Sequence, residues 1–286
     1  MPVASVRGAQ IQYEILGTGD QWISLTPGGR AGMKGVRPLA ERVADAGYRV
    51  LIHDRRNCGA SDVIIDGDLS EQEIWADDLA ELLGQLGASP VIVGGSSAGC
   101  RLSLLLTVRH PDAVRGQLLW WVTGGRFAAE RLGQNYYGQF IEAANAGGMT
   151  AVCESDFFSE RIEENAGNRD RLRAMDPQRF IEVMSGWREF FMAGADLPVI
   201  GASEQQLRGI TVPTCIVPGN DQTHPQHVGE TLDGLLPDSE LHYLPGIDEP
   251  QPEPTTDPAE LLARQTKRQS LLAEIFIPFL AKRFPL

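Results

Sequence analysis

The sequence holds 286 residues, enough for one large domain with a full hydrophobic core. Hydrophobic residues make up 42% and charged residues 22%, the composition of an ordered globular chain and not of a disordered one. Thirty-eight acidic against 25 basic side chains leave a formal charge of −13. Such a surface repels phosphate backbones and anionic lipid, so neither nucleic acid nor a membrane is an expected partner.

Met1 to Gly8 has no apolar h-region, and no secretory leader is expected. The longest apolar stretches, such as Gln117 to Val122, have the length of a strand and fall far short of a membrane span. The four cysteines (Cys58, Cys100, Cys153 and Cys215) are widely spaced with no CxxC pair. Free thiols in a cytoplasmic protein are the expectation, with neither a disulfide framework nor a zinc site.

The first half alternates strand-like and helix-like segments, the pattern of a mostly parallel sheet covered by helices on both faces. Gln10 to Ile15 alternates polar and apolar residues and reads as an outer antiparallel strand. Trp22 to Thr26 is the next strand and ends in Pro27-Gly28-Gly29. Val36 to Ala46 has helical spacing, closed by Gly47 as its C-cap. Tyr48 to Ile52 is a β-branched strand that leads into His53-Asp54-Arg55-Arg56-Asn57-Cys58-Gly59-Ala60-Ser61. Ser70 with Glu73 forms a capping box for a helix whose buried side carries Ile74, Leu79, Leu82 and Leu83. Pro90 to Val93 is a short buried strand running into Gly94-Gly95-Ser96-Ser97-Ala98-Gly99-Cys100, then a helix from Arg101 to Arg109. Gln117 to Val122 is a further buried strand.

From Gly124 to about Ile200 helical segments rich in aromatics follow one another without an evident strand. The expected organisation is a core made of 1–124 and 201–286, with 125–200 as a helical cap inserted between its halves. Strands resume at Thr214 to Val217 and Glu240 to Leu244, and Pro258 to Phe284 reads as the closing helix.

Gly95-Ser96-Ser97-Ala98-Gly99 matches G-x-S-x-G between a buried strand and a helix, the context that makes this motif informative. A side chain held on so sharp a turn needs small neighbours, because the backbone is strained and closely packed around it. The turn would project the Ser97 hydroxyl above the sheet as a nucleophile, with the helix N-terminus offering N–H groups to a developing anion. Gly28-Gly29 after the earlier strand would complete that anion site, so the N–H groups of Gly29 and Ala98 are the expected oxyanion donors.

The stretch from Trp22 to His110 resembles the α/β-hydrolase superfamily, including its short-cap members that open C–C, ester or lactone bonds. Thr26-Pro27-Gly28-Gly29 is similar to the family's His-Gly-Gly turn, and Asp54 to Ser61 to its D-x-R-G-x-G-x-S loop. His110 to Gly116 resembles the segment before the sixth strand. Pro218-Gly219-Asn220-Asp221 resembles the turn that presents the acid of the catalytic triad, which implies that role for Asp221. The resemblance implies an α/β-hydrolase fold and covers nearly the whole chain except the cap.

Three departures stand out. Pro27 replaces the usual histidine, and Asn57 replaces a glycine, a swap that αL-tolerant asparagine can absorb. The third concerns the base. The family's catalytic histidine follows the last strand, but here that segment reads Leu244-Pro245-Gly246-Ile247-Asp248-Glu249-Pro250 and no histidine follows His242. A serine hydroxyl is a poor nucleophile until a base within reach takes its proton. Of the five histidines, His53 and His242 read as strand residues, His110 lies at the wrong end, and His227 falls within a surface helix. His224 follows Asp221 by three and precedes Pro225, which suits a first helical position, so it is the preferred base. Asp248 and Glu249 stand where the missing histidine belongs and are the other candidates.

Arg30 and Arg56 flank the anion site and could grip a substrate carboxylate, although an ion pair of Arg56 with Asp54 or Asp62 would explain it equally. No metal or organic cofactor is implied. The expected function is hydrolysis of a small carbonyl compound (ester, lactone, amide or activated C–C bond), with an apolar or aromatic body suited to the aromatic cap. The chain would act alone or as a homodimer. The alternatives are a lyase-like, cofactor-free catalyst that forms no acyl-enzyme, and a ligand-binding protein that has lost its base.

Overall fold

Among the residues that the computed structural model describes, 1–246 and 255–286, eight strands form one sheet. In chain order they are β1 (Val3–Val6), β2 (Ala9–Leu16), β3 (Trp22–Thr26), β4 (Arg49–His53), β5 (Val91–Ser96), β6 (Val114–Trp120), β7 (Thr214–Val217) and β8 (Ser239–Leu241). Their spatial order is β1-β2-β4-β3-β5-β6-β7-β8. The first two pairings, β1 with β2 and β2 with β4, are antiparallel, and all the others are parallel. The outer antiparallel strand expected at Gln10 to Ile15 is β2, but β1 lies outside it. Arg7 and Gly8 both take positive φ (45° and 82°), the geometry of a tight hairpin turn, and four residues are too few to show a period.

Helices α1 (Arg37–Asp45), α2 (Glu71–Leu86) and α3 (Ala98–Arg109) connect the central strands, and α11 (Pro258–Arg283) closes the fold. Alternate strand residues face opposite layers. Val50, Ile52 and Ile92 pack with Leu39 and Val43 of α1 and Phe276 of α11, while Leu51, Val91 and Val93 pack with Trp75 and Leu79 of α2 and Leu102 of α3. A parallel sheet buried on both faces has this arrangement, which explains the uninterrupted apolar runs of its strands. The Ser70–Glu73 capping box is formed, and it fixes where α2 begins. Gly87, at φ 61°, ends that helix in the left-handed conformation.

After β6 come α4 (Arg126–Gly133), a π-helical turn (Gln134–Gly138), α5 (Gln139–Glu154), α6 (Asp156–Glu164), α7 (Gly167–Arg173) and α8 (Pro177–Ala193). Among the described residues this stretch contains no strand. Its aromatics share one buried cluster that includes Tyr137, Phe140, Phe158, Phe180, Trp187 and Phe191 and that reaches Val63, Ile65 and Ile74 of the sheet body. Short α9 (Glu204–Arg208) leads back to β7, and α10 (Gln226–Leu235) joins β7 to β8. Pro225 is the N-cap of α10 and not its first helical residue, with ψ at 140°. Among the described residues no helix is long and apolar enough to cross a membrane.

Candidate active site

The sheet reverses its strand order between β3 and β5, which lie side by side although β4 intervenes in sequence. In open α/β sheets ligands bind above the C-terminal strand ends at such a switch point, where the loops diverge and leave a crevice. Here those loops are Pro27-Gly28-Gly29 and the turn at Ser97.

Ser97 joins β5 to α3 with φ 51° and ψ −104°, a left-handed backbone that is costly for a residue with a side chain. The glycines on either side are set by contact. A Cβ on Gly95 would lie 2.4 Å from the Gly99 carbonyl carbon, and one on Gly99 would lie 2.4 Å from the Thr26 oxygen. The Ser97 N–H donates to the Trp120 carbonyl at 3.1 Å, which ties the strained turn to β6.

The loop after β7 brings the remaining polar groups. Asp221 Oδ1 accepts the backbone N–H groups of Thr223 (2.7 Å) and His224 (2.9 Å), curling the loop on itself. Gly219 permits that curl, since a Cβ there would lie 2.5 Å from His224 Cβ. The ring of His224 then spans the gap, with Nδ1 2.9 Å from Asp221 Oδ2 and Nε2 2.9 Å from Ser97 Oγ. A carboxylate only accepts, so in the neutral ring Nδ1 carries the proton and Nε2 is left to receive the serine O–H. Burial alone would raise the Asp221 carboxyl, but the hydrogen bond and charge of His224 and the two backbone N–H groups outweigh it and draw it down to about 2. The carboxylate is therefore ionised throughout the neutral range.

Thr123, fully buried just beyond β6, places Oγ1 3.1 Å from Ser97 Oγ. The sequence reading missed it, because a threonine after an apolar strand has no signature of its own.

A cavity of about 570 Å³ opens above Ser97. Gly28, Gly29 and Ser97 form its floor, Asp221 to His224 one wall, and Arg131, Leu132, Asn135 and Tyr136 of α4 and the π-turn the other. Gly29 sits at φ 54°, where a Cβ would meet only the Tyr136 hydroxyl at 3.7 Å, so its backbone faces the cavity. Arg55 donates to the Gly29 carbonyl (2.9 Å) and Arg161 to that of Arg30 (3.1 Å), which pins the turn. Ala98 is the first residue of α3, where an N–H has no acceptor within the helix.

Neither arginine expected to grip substrate is among the residues lining this cavity. Arg30 is buried in an ion pair with Glu71 (2.6 Å) and ringed by Tyr136, Tyr137, Phe140 and Phe157. Arg56 is held by both oxygens of Asp78, each at 2.8 Å, and not by Asp54 or Asp62. The reason is desolvation. A guanidinium buried this deeply needs a carboxylate beside it, and α2 supplies one to each. Asn57 takes φ 67° as its glycine-like position requires, and also donates to Glu71 at 3.1 Å. His53 is buried in the sheet, where desolvation first and the charge of Arg55 second push its imidazole down to about 3. His110 bonds Asp77 at 2.8 Å, away from the cavity. Asp248 and Glu249 lie outside the described residues.

A sheet of this order, with a strained strand-to-helix turn at its switch point, is the α/β-hydrolase fold. The family model for the alpha/beta hydrolase fold matches residues 22–119, and the chain has an α/β-hydrolase fold. The uncharacterized hydrolase YraK of Bacillus subtilis is 33% identical over 109 residues, a match covering 38% of this chain and only 40% of that protein. The 2-hydroxy-6-oxononadienedioate/2-hydroxy-6-oxononatrienedioate hydrolase of Escherichia coli K12 is 26% identical over 253 residues, covering 82% of this chain and 83% of the relative. The enol-lactonase of Burkholderia xenovorans LB400 superposes with a TM-score of 0.59 at 18% identity, covering 95% of this chain and 99% of its own.

Proposed function

We propose that the protein is a serine hydrolase of a small carbonyl compound, an ester, lactone or activated C–C bond, with Ser97 as nucleophile and His224 as base. One observation carries this reading: the His224 ring lies 2.9 Å from Ser97 Oγ at one nitrogen and 2.9 Å from Asp221 at the other. A nucleophile, a base and an orienting carboxylate within hydrogen-bond reach of one another are what acyl transfer needs.

In the proposed cycle Nε2 of His224 takes the Ser97 proton as Oγ attacks the carbonyl carbon. The N–H groups of Gly29 and Ala98 receive the negative oxygen. Collapse of the tetrahedral adduct expels the leaving group, which takes the proton back from His224, and an acyl-enzyme remains. Water, deprotonated by the same ring, then releases the acid and restores Ser97. Asp221 stays ionised and stabilises the imidazolium. Thr123 donates its hydroxyl to Oγ and aims it at the carbonyl.

The ligand-binding alternative drew its force from a missing base, and a histidine in contact with the serine weighs against it; the lyase-like alternative differs in forming no acyl-enzyme. A fluorophosphonate tests the reading. Stoichiometric labelling at Ser97, lost in Ser97→Ala and strongly slowed in His224→Ala, is the expected result. A wild-type protein that resists the reagent while it binds carbonyl ligands would reject it.

A further inference from the structure

Among the described residues five guanidiniums are buried: those of Arg30, Arg55, Arg56, Arg101 and Arg161. Four have acceptors. Arg30 pairs with Glu71, Arg56 with Asp78 and Arg161 with Glu160, while Arg55 donates to the Gly29 and Ala31 carbonyls. Arg101 differs. It is 1% exposed, and its Nε, Nη1 and Nη2 have no hydrogen-bond partner. Its guanidinium lies over the Phe191 ring at 5.0 Å, a contact that attracts the cation but accepts no N–H from it. An arginine does not escape this by losing its proton. A buried charge left in this state costs the fold stability, and a neutral side chain of similar length would fill the same space without the cost.

Its position relates it to the serine. Arg101 stands four residues after Ser97, and its N–H donates to the Ser97 carbonyl at 3.1 Å, so the two lie one helical turn apart on one face of α3. Helical side chains tilt toward the N-terminus of their helix, which here is the Ser97 end. Arg101 does not itself line the cavity above Ser97; Tyr136, a wall of that cavity, packs edge-on at 6.0 Å against Phe191, the ring that Arg101 lies over. Arg55, which donates from Nη2 to the Gly29 carbonyl at the cavity floor, keeps Nε and Nη1 open.

We propose that Arg101 anchors a carboxylate subsite behind Tyr136, so that the substrate is an anionic carbonyl compound whose carboxylate lies a few bonds from the carbon attacked by Ser97. Planar guanidinium N–H groups match a carboxylate, and the absent acceptor is then supplied by the substrate itself. The short spacing along α3 excludes a long chain between the two groups. This inference rests on the serine-hydrolase reading, and it narrows that reading from small carbonyl compounds to acidic ones.

The test compares two esters whose acyl groups have the same number of carbons, p-nitrophenyl hemisuccinate and p-nitrophenyl butyrate, with uncatalysed rates subtracted. Wild-type protein should favour the hemisuccinate in kcat/KM by about tenfold or more, the scale of a charge-assisted hydrogen bond. Arg101→Met should lower the ratio of the two kcat/KM values by a similar factor. Equal ratios in wild type and variant would overturn the subsite. Binding is read separately by thermal shift: succinate should stabilise wild type and Ser97→Ala but not Arg101→Met. Sulfate acting as well as succinate would overturn the carboxylate assignment. Arg101→Met and Arg101→Gln should melt no lower than wild type, and a clear drop in both would make the arginine structural and reject the proposal. Protection by succinate without turnover of either ester would keep the subsite and sink the serine-hydrolase reading; turnover with neither preference nor protection would do the reverse.

Discussion

Two polar regions lie a single helical turn apart at the start of α3, and they are built on opposite terms. Around Ser97 the polar groups answer one another: Thr123 and His224 meet the hydroxyl, and Asp221 meets the far side of the ring. Around Arg101 the guanidinium has nothing to donate to. The first region is complete before any ligand arrives, so its geometry needs no reorganisation when charge develops. The second is incomplete, and what completes it must come from outside. Preorganised chemistry and ligand recognition thus leave different marks, a closed hydrogen-bond chain in one case and an open buried donor in the other.

The largest effect that would break this contrast is loss of the nucleophile. Ser97→Ala should lower kcat by about 10³-fold or more while leaving the far-ultraviolet circular dichroism unchanged. Retention of substantial turnover would remove the serine from the chemistry. His224→Ala should follow with a fall of about 10²- to 10⁴-fold, the range for a general base, measured as the single-turnover rate. A silent His224→Ala would transfer the base to another group.

The paired arginine sharpens the contrast from the other side. Glu71→Gln leaves Arg30 without its carboxylate and should destabilise the fold by roughly 3 kcal/mol in urea unfolding, since the remaining charge is buried. Arg101 has no such partner to lose. A Glu71→Gln protein as stable as wild type would show that buried guanidiniums are tolerated here, and Arg101 would lose its distinction. Thr123→Val, which keeps the shape and removes only the hydroxyl, should cost about tenfold in kcat with little change in KM, in line with one hydrogen bond.

The remaining effect concerns pH. His53 titrates near 3 in the folded chain, against about 6.5 when unfolded. Between those values the unfolded state binds the extra proton, so stability is full above about 6.5 and declines as pH falls toward 3. His53→Gln should flatten the dependence of melting temperature on pH in that window. Asp221 works lower down: its contribution is present above about 4 and is lost as the carboxyl protonates near 2.

Much of this architecture was legible in the order of residues. The boundaries of β3 and β7 match the apolar runs Trp22–Thr26 and Thr214–Val217, and Ser70 with Glu73 marks the start of α2. G-x-S-x-G names the turn at Ser97, because a strained strand-to-helix turn imposes its glycines locally. Asp221 could be nominated from the resemblance of its Pro218-Gly219-Asn220-Asp221 turn, and His224 from its place three residues on, before Pro225. Whether their ring would reach Ser97, 127 residues away, was decided by the adjacency of β6 and β7, which no local pattern encodes. The arginines show the limit most clearly. In sequence Arg30, Arg56 and Arg101 are alike, each near a glycine-rich turn. Only packing determines that α2 meets the first two with Glu71 and Asp78 and that, among the described residues, no carboxylate meets the third. A charge is a property of the residue, whereas its partner is a property of the fold.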